Sequence, residues 1–251
     1  MMTNEFSFNI NINGNLSLIK ENYENFKEEE AAPINLEEYK ISIDDSRSII
    51  ISWLSFLCSK LNFKEQSLFR CVSIFDQYIS RISEEEASNL DKDYLSLIAI
   101  ACLSLATKLE EINCNYVKFL NEKVLNSPNS KVYTIKDLTS MELKILKTLK
   151  YKIIYSTPLD FIEIYIEIFK SVLGNNRSQV NPQIIAQIKN YTLNLVKNNI
   201  NNEIYLTYNT SQLAYACFIQ VLTQTNLINL INMKQFEKSF FSFNYQLSNV
   251  F

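Results

Sequence analysis

Three observations predict an all-α protein. The first is residues 95–111, which carry no charge from Leu95 to Thr107 and then end in Lys108-Leu109-Glu110-Glu111. Their apolar residues fall on overlapping i, i+3, i+4, i+7 ladders, so no side is polar. A helix that is hydrophobic all round is enclosed by other helices or by lipid. Spanning a bilayer takes roughly 20 apolar residues, so this stretch is expected at the centre of a helical bundle. The second observation is a pair of helix starts in which a capping residue precedes proline, Thr157-Pro158 and Asn181-Pro182. The third is the lack of any strand-like run with turn punctuation after residue 40.

Each element follows in order. Residues 1–15 are asparagine-rich and alternate Phe6, Phe8, Ile10, Ile12 before Asn13-Gly14, a hairpin pattern. No other strand is on offer, and an isolated hairpin is marginal, so a flexible tail is preferred. Ile19, Tyr23, Phe26 and Glu30 share one face of a helix beginning near Leu16, with Glu28-Glu29-Glu30 as its solvated face. Ala31-Ala32-Pro33 ends it. Asp44 or Asp45 caps the next helix, whose core positions are Ile49, Ile50, Trp53, Leu54 and Leu57. Asn62 separates it from a helix with Leu68, Val72, Phe75, Tyr78 and Ile79 on its apolar face. Residues 83–91 are polar, acidic and loop-like, with Glu84-Glu85-Glu86 as solvated charge. The central helix follows. A further helix is expected from Asn113 through Leu125, then turn chemistry at 126–130. Thr134 with Asp137 has capping-box spacing before Leu138, Met141, Ile145 and Leu149. After Pro158, helices are expected with Phe161, Ile164, Tyr165 and Ile168, stopped by Gly174, then with Ile184, Ile188 and Tyr191, and over about 210–224. The aromatic run after Met233 is irregular.

Composition narrows the chemistry. The 251 residues include no histidine, which removes the commonest general acid-base group and neutral metal ligand. Two glycines, Gly14 and Gly174, leave no glycine-rich phosphate loop. No enzyme activity, cofactor or metal site is expected. A net charge of −3 gives no electrostatic case for nucleic acid. The five cysteines lack CxxC spacing and fit reduced, buried thiols in the nucleus or cytoplasm. No signal sequence or membrane span is indicated.

Five segments together resemble the cyclin box. Arg47-Ser48-Ile49-Ile50-Ile51-Ser52-Trp53-Leu54 is similar to the opening of its first helix. Ser73-Ile74-Phe75-Asp76-Gln77-Tyr78-Ile79-Ser80 is similar to its Asp-Arg-Phe-Leu-Ser segment. Residues 101–112 resemble its Ala-Ser-Lys-x-Glu-Glu-Ile signature, Met141-Glu142 with Ile145-Leu146 its Met-Glu-x-x-Ile-Leu, and Thr157-Pro158-Leu159-Asp160-Phe161 its linker. The resemblance is nearer the mitotic A/B type than the transcriptional type. It implies a tail at 1–15, an N-terminal helix and connector at 16–43, a five-helix box at 44–155, and an incomplete or degenerate second cyclin-like fold at 156–251.

The function so implied is a non-catalytic regulatory subunit that binds and activates a cyclin-dependent protein kinase and controls cell-cycle progression, acting in nucleus and cytoplasm. Lys108 and Glu142 match the pair that hydrogen-bonds the kinase, and Leu146, Tyr151 and Ile153 the apolar positions that pack on its αC helix. Arg47 and Asp76 match a structural ion pair. Ile49, Ile50, Trp53 and Leu95 fall in a patch for substrate docking peptides, although Ser46, Phe56 and Ser96 depart from the family's residues there. The other class allowed is a cyclin-fold adaptor that docks peptides or transcription proteins without activating a kinase. No Arg-x-x-Leu degron occurs.

Overall fold

The computed structural model describes residues 16–112, 133–173, 180–231 and 236. The predicted tail or hairpin, the helix expected from Asn113, Gly174 and all of the last aromatic run but Phe236 lie outside them. Every regular element among the described residues is helical. Helix α1 is Leu16–Glu28, followed by a 3-10 turn Leu36–Glu38 and a π-helical turn Ile43–Arg47 that runs into α2, Ser48–Lys60. Then come α3 (Glu65–Ile79), α4 (Glu84–Ala87), α5 (Lys92–Glu110) and α6 (Ile135–Thr148). The second half holds α7 (Pro158–Val172), α8 (Pro182–Asn199), α9 (Ile204–Thr207), α10 (Thr210–Gln224) and a 3-10 turn Leu227–Leu230.

Helix α5 is the post of the first half. It packs against α2, α3 and α6, and every residue from Leu97 to Thr107 is buried. Ala99, Ala101 and Ala106 keep its surface low, so backbones can approach closely. Helix α3 is nearly as enclosed, because its far side meets α7 of the second half. Helices α7, α8 and α10 pack on one another, and α1 lies against α7. Aromatic rings fill the part of the continuous core that lies between them. Phe161 and Tyr165 stack at 6.4 Å, and Phe218 stacks on Phe236 at 6.3 Å. Tyr23 of α1 meets Phe161 edge-on at 5.9 Å, the geometry ring quadrupoles prefer. Cys58, Cys71, Cys102 and Cys217 are buried free thiols.

Capping follows the sequence at both boxes. Thr134 and Asp137 exchange bonds at the start of α6, and Thr157 and Asp160 do so at α7 with Pro158 in the first turn. Asn181 caps α8. Four expectations are corrected. The Asp45 side chain does not cap α2, because the π-helical turn feeds the chain straight into it, with Arg47 N–H on Ser42 C=O at 2.9 Å; the Asp44 side chain lies outside the described residues. Ile49 is 62% exposed, since α2 turns Ile50, Ile51, Leu54, Leu57 and Cys58 to the core instead. Residues 83–91 are not simply loop: Ser83 caps the short α4, and Glu86 is drawn inward by Lys144 and the hydroxyls of Tyr78 and Tyr94. Glu30 is buried rather than solvated. Its Oε1 accepts the Ser211 N–H at 2.5 Å, at the N-terminus of α10, where the helix dipole favours an anion. Lys27 pairs with Glu30 and bonds Ser211 Oγ at 3.2 Å.

Candidate partner-binding site

The charged end of α5 is built residue by residue. Lys108 lies in the last turn, where a cation suits the C-terminal dipole. Its Nζ donates to both carboxylate oxygens of Glu142 on α6, at 2.6 and 2.7 Å. The Lys108 side chain is 40% exposed and that of Glu142 10%, so the pair sits at the rim of the bundle. Glu110 faces the other way and takes Arg70 Nε of α3 at 2.5 Å. Glu111 Oε1 accepts the Lys64 N–H at 2.8 Å and Ser67 Oγ at 2.6 Å, capping the start of α3. Each charge of the Lys-x-Glu-Glu string therefore binds a different partner, and together they fix where α5 stops.

Around the pair lies exposed apolar surface. Leu109, Ile112 and Leu143 are all exposed. Leu146, one turn after Glu142, is half-buried, Tyr151 is 64% exposed and Ile153 is buried. Tyr151 and Leu146 are brought together by the way α6 ends. Tyr151 N–H bonds Leu146 C=O at 2.7 Å, and Lys150 N–H bonds Lys147 C=O at 3.1 Å. Those are the two bonds of a Schellman ending, which sets the first residue beyond the turn beside the last turn of the helix. Lys150 and Tyr151 have φ of 52° and 62°, a left-handed conformation costing roughly 1–2 kcal/mol for a residue with a Cβ. Beyond them, Ser156 N–H bonds Glu29 C=O at 3.1 Å, Ser156 Oγ bonds Phe26 C=O at 2.7 Å, and Arg70 Nη1 bonds Tyr155 C=O at 2.7 Å. The N-terminal helix and α3 thus hold the far side of the turn. Arg70, Leu109, Ile112 and Leu143 escaped the sequence reading. Apolar residues just off the core face of α5 and α6 were the only signal for the last three, and an isolated arginine carries none.

Arg47 and Asp76 are deep in the molecule. Arg47 Nε and Nη2 bond the Asp76 carboxylate at 2.9 and 2.8 Å, and Nη1 bonds Ile200 C=O at 2.8 Å. Tyr39 Oη donates to the same carboxylate at 2.6 Å, and burial with that anion beside it pushes the phenol well above its usual range. The residues expected to dock peptides divide. Ile49, Trp53 and Phe56 share a stripe of α2 at i, i+4, i+7, with Ile49 and Phe56 exposed and Trp53 half-buried. Ile50 and Leu95 are buried in the core, so they offer a peptide little surface. Among the described residues no group of His, Cys, Asp or Glu is arranged to hold a metal, and no helix is long and apolar enough to cross a membrane.

A buried helix whose terminal lysine is paired to the next described helix, followed by further helices packed on the first set, is the arrangement of a cyclin-type fold. The family profile "Cyclin, N-terminal domain" matches residues 20–154. The chain belongs to the cyclin family. It is 29% identical over 116 residues to G2/mitotic-specific cyclin-B2 of Bos taurus, covering 46% of this chain and 26% of that protein. It is 25% identical over 183 residues to Cyclin-D2-2 of Oryza sativa subsp. japonica, covering 72% of this chain and 47% of that one. It thus spans less than half the length of these relatives. The crystal structure of a viral cyclin from herpesvirus saimiri shares the fold, with a TM-score of 0.57 at 16% identity over 84% of this chain and 87% of that chain.

Proposed function

We propose that this protein binds a cyclin-dependent protein kinase and activates it, without chemistry of its own, in the nucleus and cytoplasm. One observation carries the reading: Lys108 and Glu142 form a charged pair at the rim of an otherwise exposed apolar surface that includes Leu109, Leu143, Leu146 and Tyr151. Charge-assisted bonds from such a pair to a partner's backbone are stronger than neutral ones and fix its register. The apolar residues supply area for the kinase αC helix to pack on. Moving that helix inward lets its glutamate meet the phosphate-binding lysine, as phosphoryl transfer requires. The test is recovery of a cyclin-dependent kinase with the full chain, followed by its activity on histone with and without this protein. Wild-type protein that recruits no such kinase, or leaves its activity at the basal level, overturns the reading. The exposed stripe Ile49–Trp53–Phe56 favours a second role in docking apolar peptides, with Phe56 in place of an acidic partner for basic ones.

A further inference from the structure

The turn that ends α6 is built from the wrong residues for a mere turn. Among the described residues, the other left-handed positions belong to Asn62 and Asn226, whose short polar side chains tolerate that conformation. Asn62 even closes α2 with the same two bonds, Phe63 N–H to Cys58 C=O at 2.9 Å and Asn62 N–H to Ser59 C=O at 3.2 Å. Where only a stop is needed, then, the chain uses asparagine. At α6 it uses lysine and then tyrosine, two strained residues in succession. Burial does not compensate, because the Tyr151 side chain is largely exposed. Strain of this kind persists only where the surroundings over-determine it. Here they do: Leu146 C=O holds one side, while Glu29, Phe26 and Arg70 hold the segment that follows.

We propose that Lys150 is a positioning residue: its left-handed backbone, continued by Tyr151, holds the exposed Tyr151 side chain at the last turn of α6 as a preformed anchor for the kinase. This rests on the kinase reading above. A ring fixed before the encounter loses little freedom on binding, and that saving goes into affinity. Leu146 lies one turn beyond Glu142, so anchor and charged pair face the same partner. The strain therefore serves binding and works against folding, which gives it a signature that core residues lack.

The experiment measures affinity for the cyclin-dependent kinase recovered with the full chain, alongside the melting temperature. Tyr151→Gly is expected to melt higher than wild type yet bind at least tenfold more weakly. Tyr151→Phe keeps the ring and binds within twofold. Lys150→Val, β-branched and hostile to positive φ, weakens binding severalfold at unchanged helical content, whereas Lys150→Asn restores it. If wild type binds and Tyr151→Gly binds equally well, or if Tyr151→Gly melts lower, this inference falls alone. If wild type recruits no kinase, it falls together with the reading it rests on.

Discussion

Arg47 donates to the carbonyl of Ile200 at 2.8 Å, across 153 positions of sequence. The same guanidinium grips Asp76 with two bonds, and Tyr39 closes the ring from the connector after α1. One buried cation thereby joins α2, α3, the N-terminal connector and the second half. Burial alone would push the guanidinium down, and the Asp76 carboxylate more than reverses that. Arg47→Met leaves a buried carboxylate without its cation, and such a loss costs about 3–5 kcal/mol. Denaturant midpoints should fall accordingly. Arg47→Lys should fail nearly as badly, because an ammonium cannot make the forked contact to Asp76 and still reach Ile200. An unchanged midpoint for Arg47→Met would remove this residue from any account of stability.

The rim pair behaves oppositely. Exposed ion pairs contribute about 0–1 kcal/mol, and Lys108 is 40% exposed. Exchanging the two charges, Lys108→Glu with Glu142→Lys, keeps an opposite-charge pair at the rim and should shift unfolding by little more than that, while kinase binding drops at least tenfold. Circular dichroism and pull-down on the same preparation separate the two effects.

Acid should loosen the first half through Glu86. Partial burial pushes its carboxyl up, but bonds from Lys144 at 2.7 Å, Tyr78 at 2.7 Å and Tyr94 at 3.0 Å outweigh this and hold it below the usual 4.5. A depressed carboxylate contributes stability that is present above its unfolded pKa and lost as pH falls through the folded value. The stability gap between wild type and Glu86→Gln should therefore be full above about pH 4.5 and shrink below it. Asp160, whose carboxyl burial pushes up against the bonds from Thr157, contributes with the opposite sign. A gap that widens on acidification would refute the assignment to Glu86.

Glu30 is the hinge between α1 and α10. Its removal in Glu30→Ala strands the Ser211 N–H, and an unmet buried donor costs about 1–3 kcal/mol. Faster hydrogen exchange in α1 and in the first turn of α10 is expected, with α5 unchanged. Protection spread evenly over the chain would contradict it.

Much of this molecule was legible locally. The uncharged ladder ending at Lys108 dictates a buried helix with one charged exit, and Thr134, Thr157 and Asn181 mark helix starts because short polar side chains satisfy free N–H groups wherever they stand. The order of the cyclin-like segments likewise set Arg47 against Asp76 and Lys108 against Glu142. Other features depended on neighbours distant in sequence. Glu30 and Glu86 look like solvated charge in an acidic run, and only Ser211 or Lys144 arriving from elsewhere makes them structural. Ile49 and Ile50 are the same residue type one step apart, yet the rotation of α2 against α3 and α5 exposes one and buries the other. The left-handed turn at Lys150 and Tyr151 has no sequence signal at all, since signals for such turns are glycine and asparagine. The helix-ending bond to Leu146 closes it on one side, tertiary bonds from α1 and α3 hold the segment that follows, and together they outweigh the local preference of both residues.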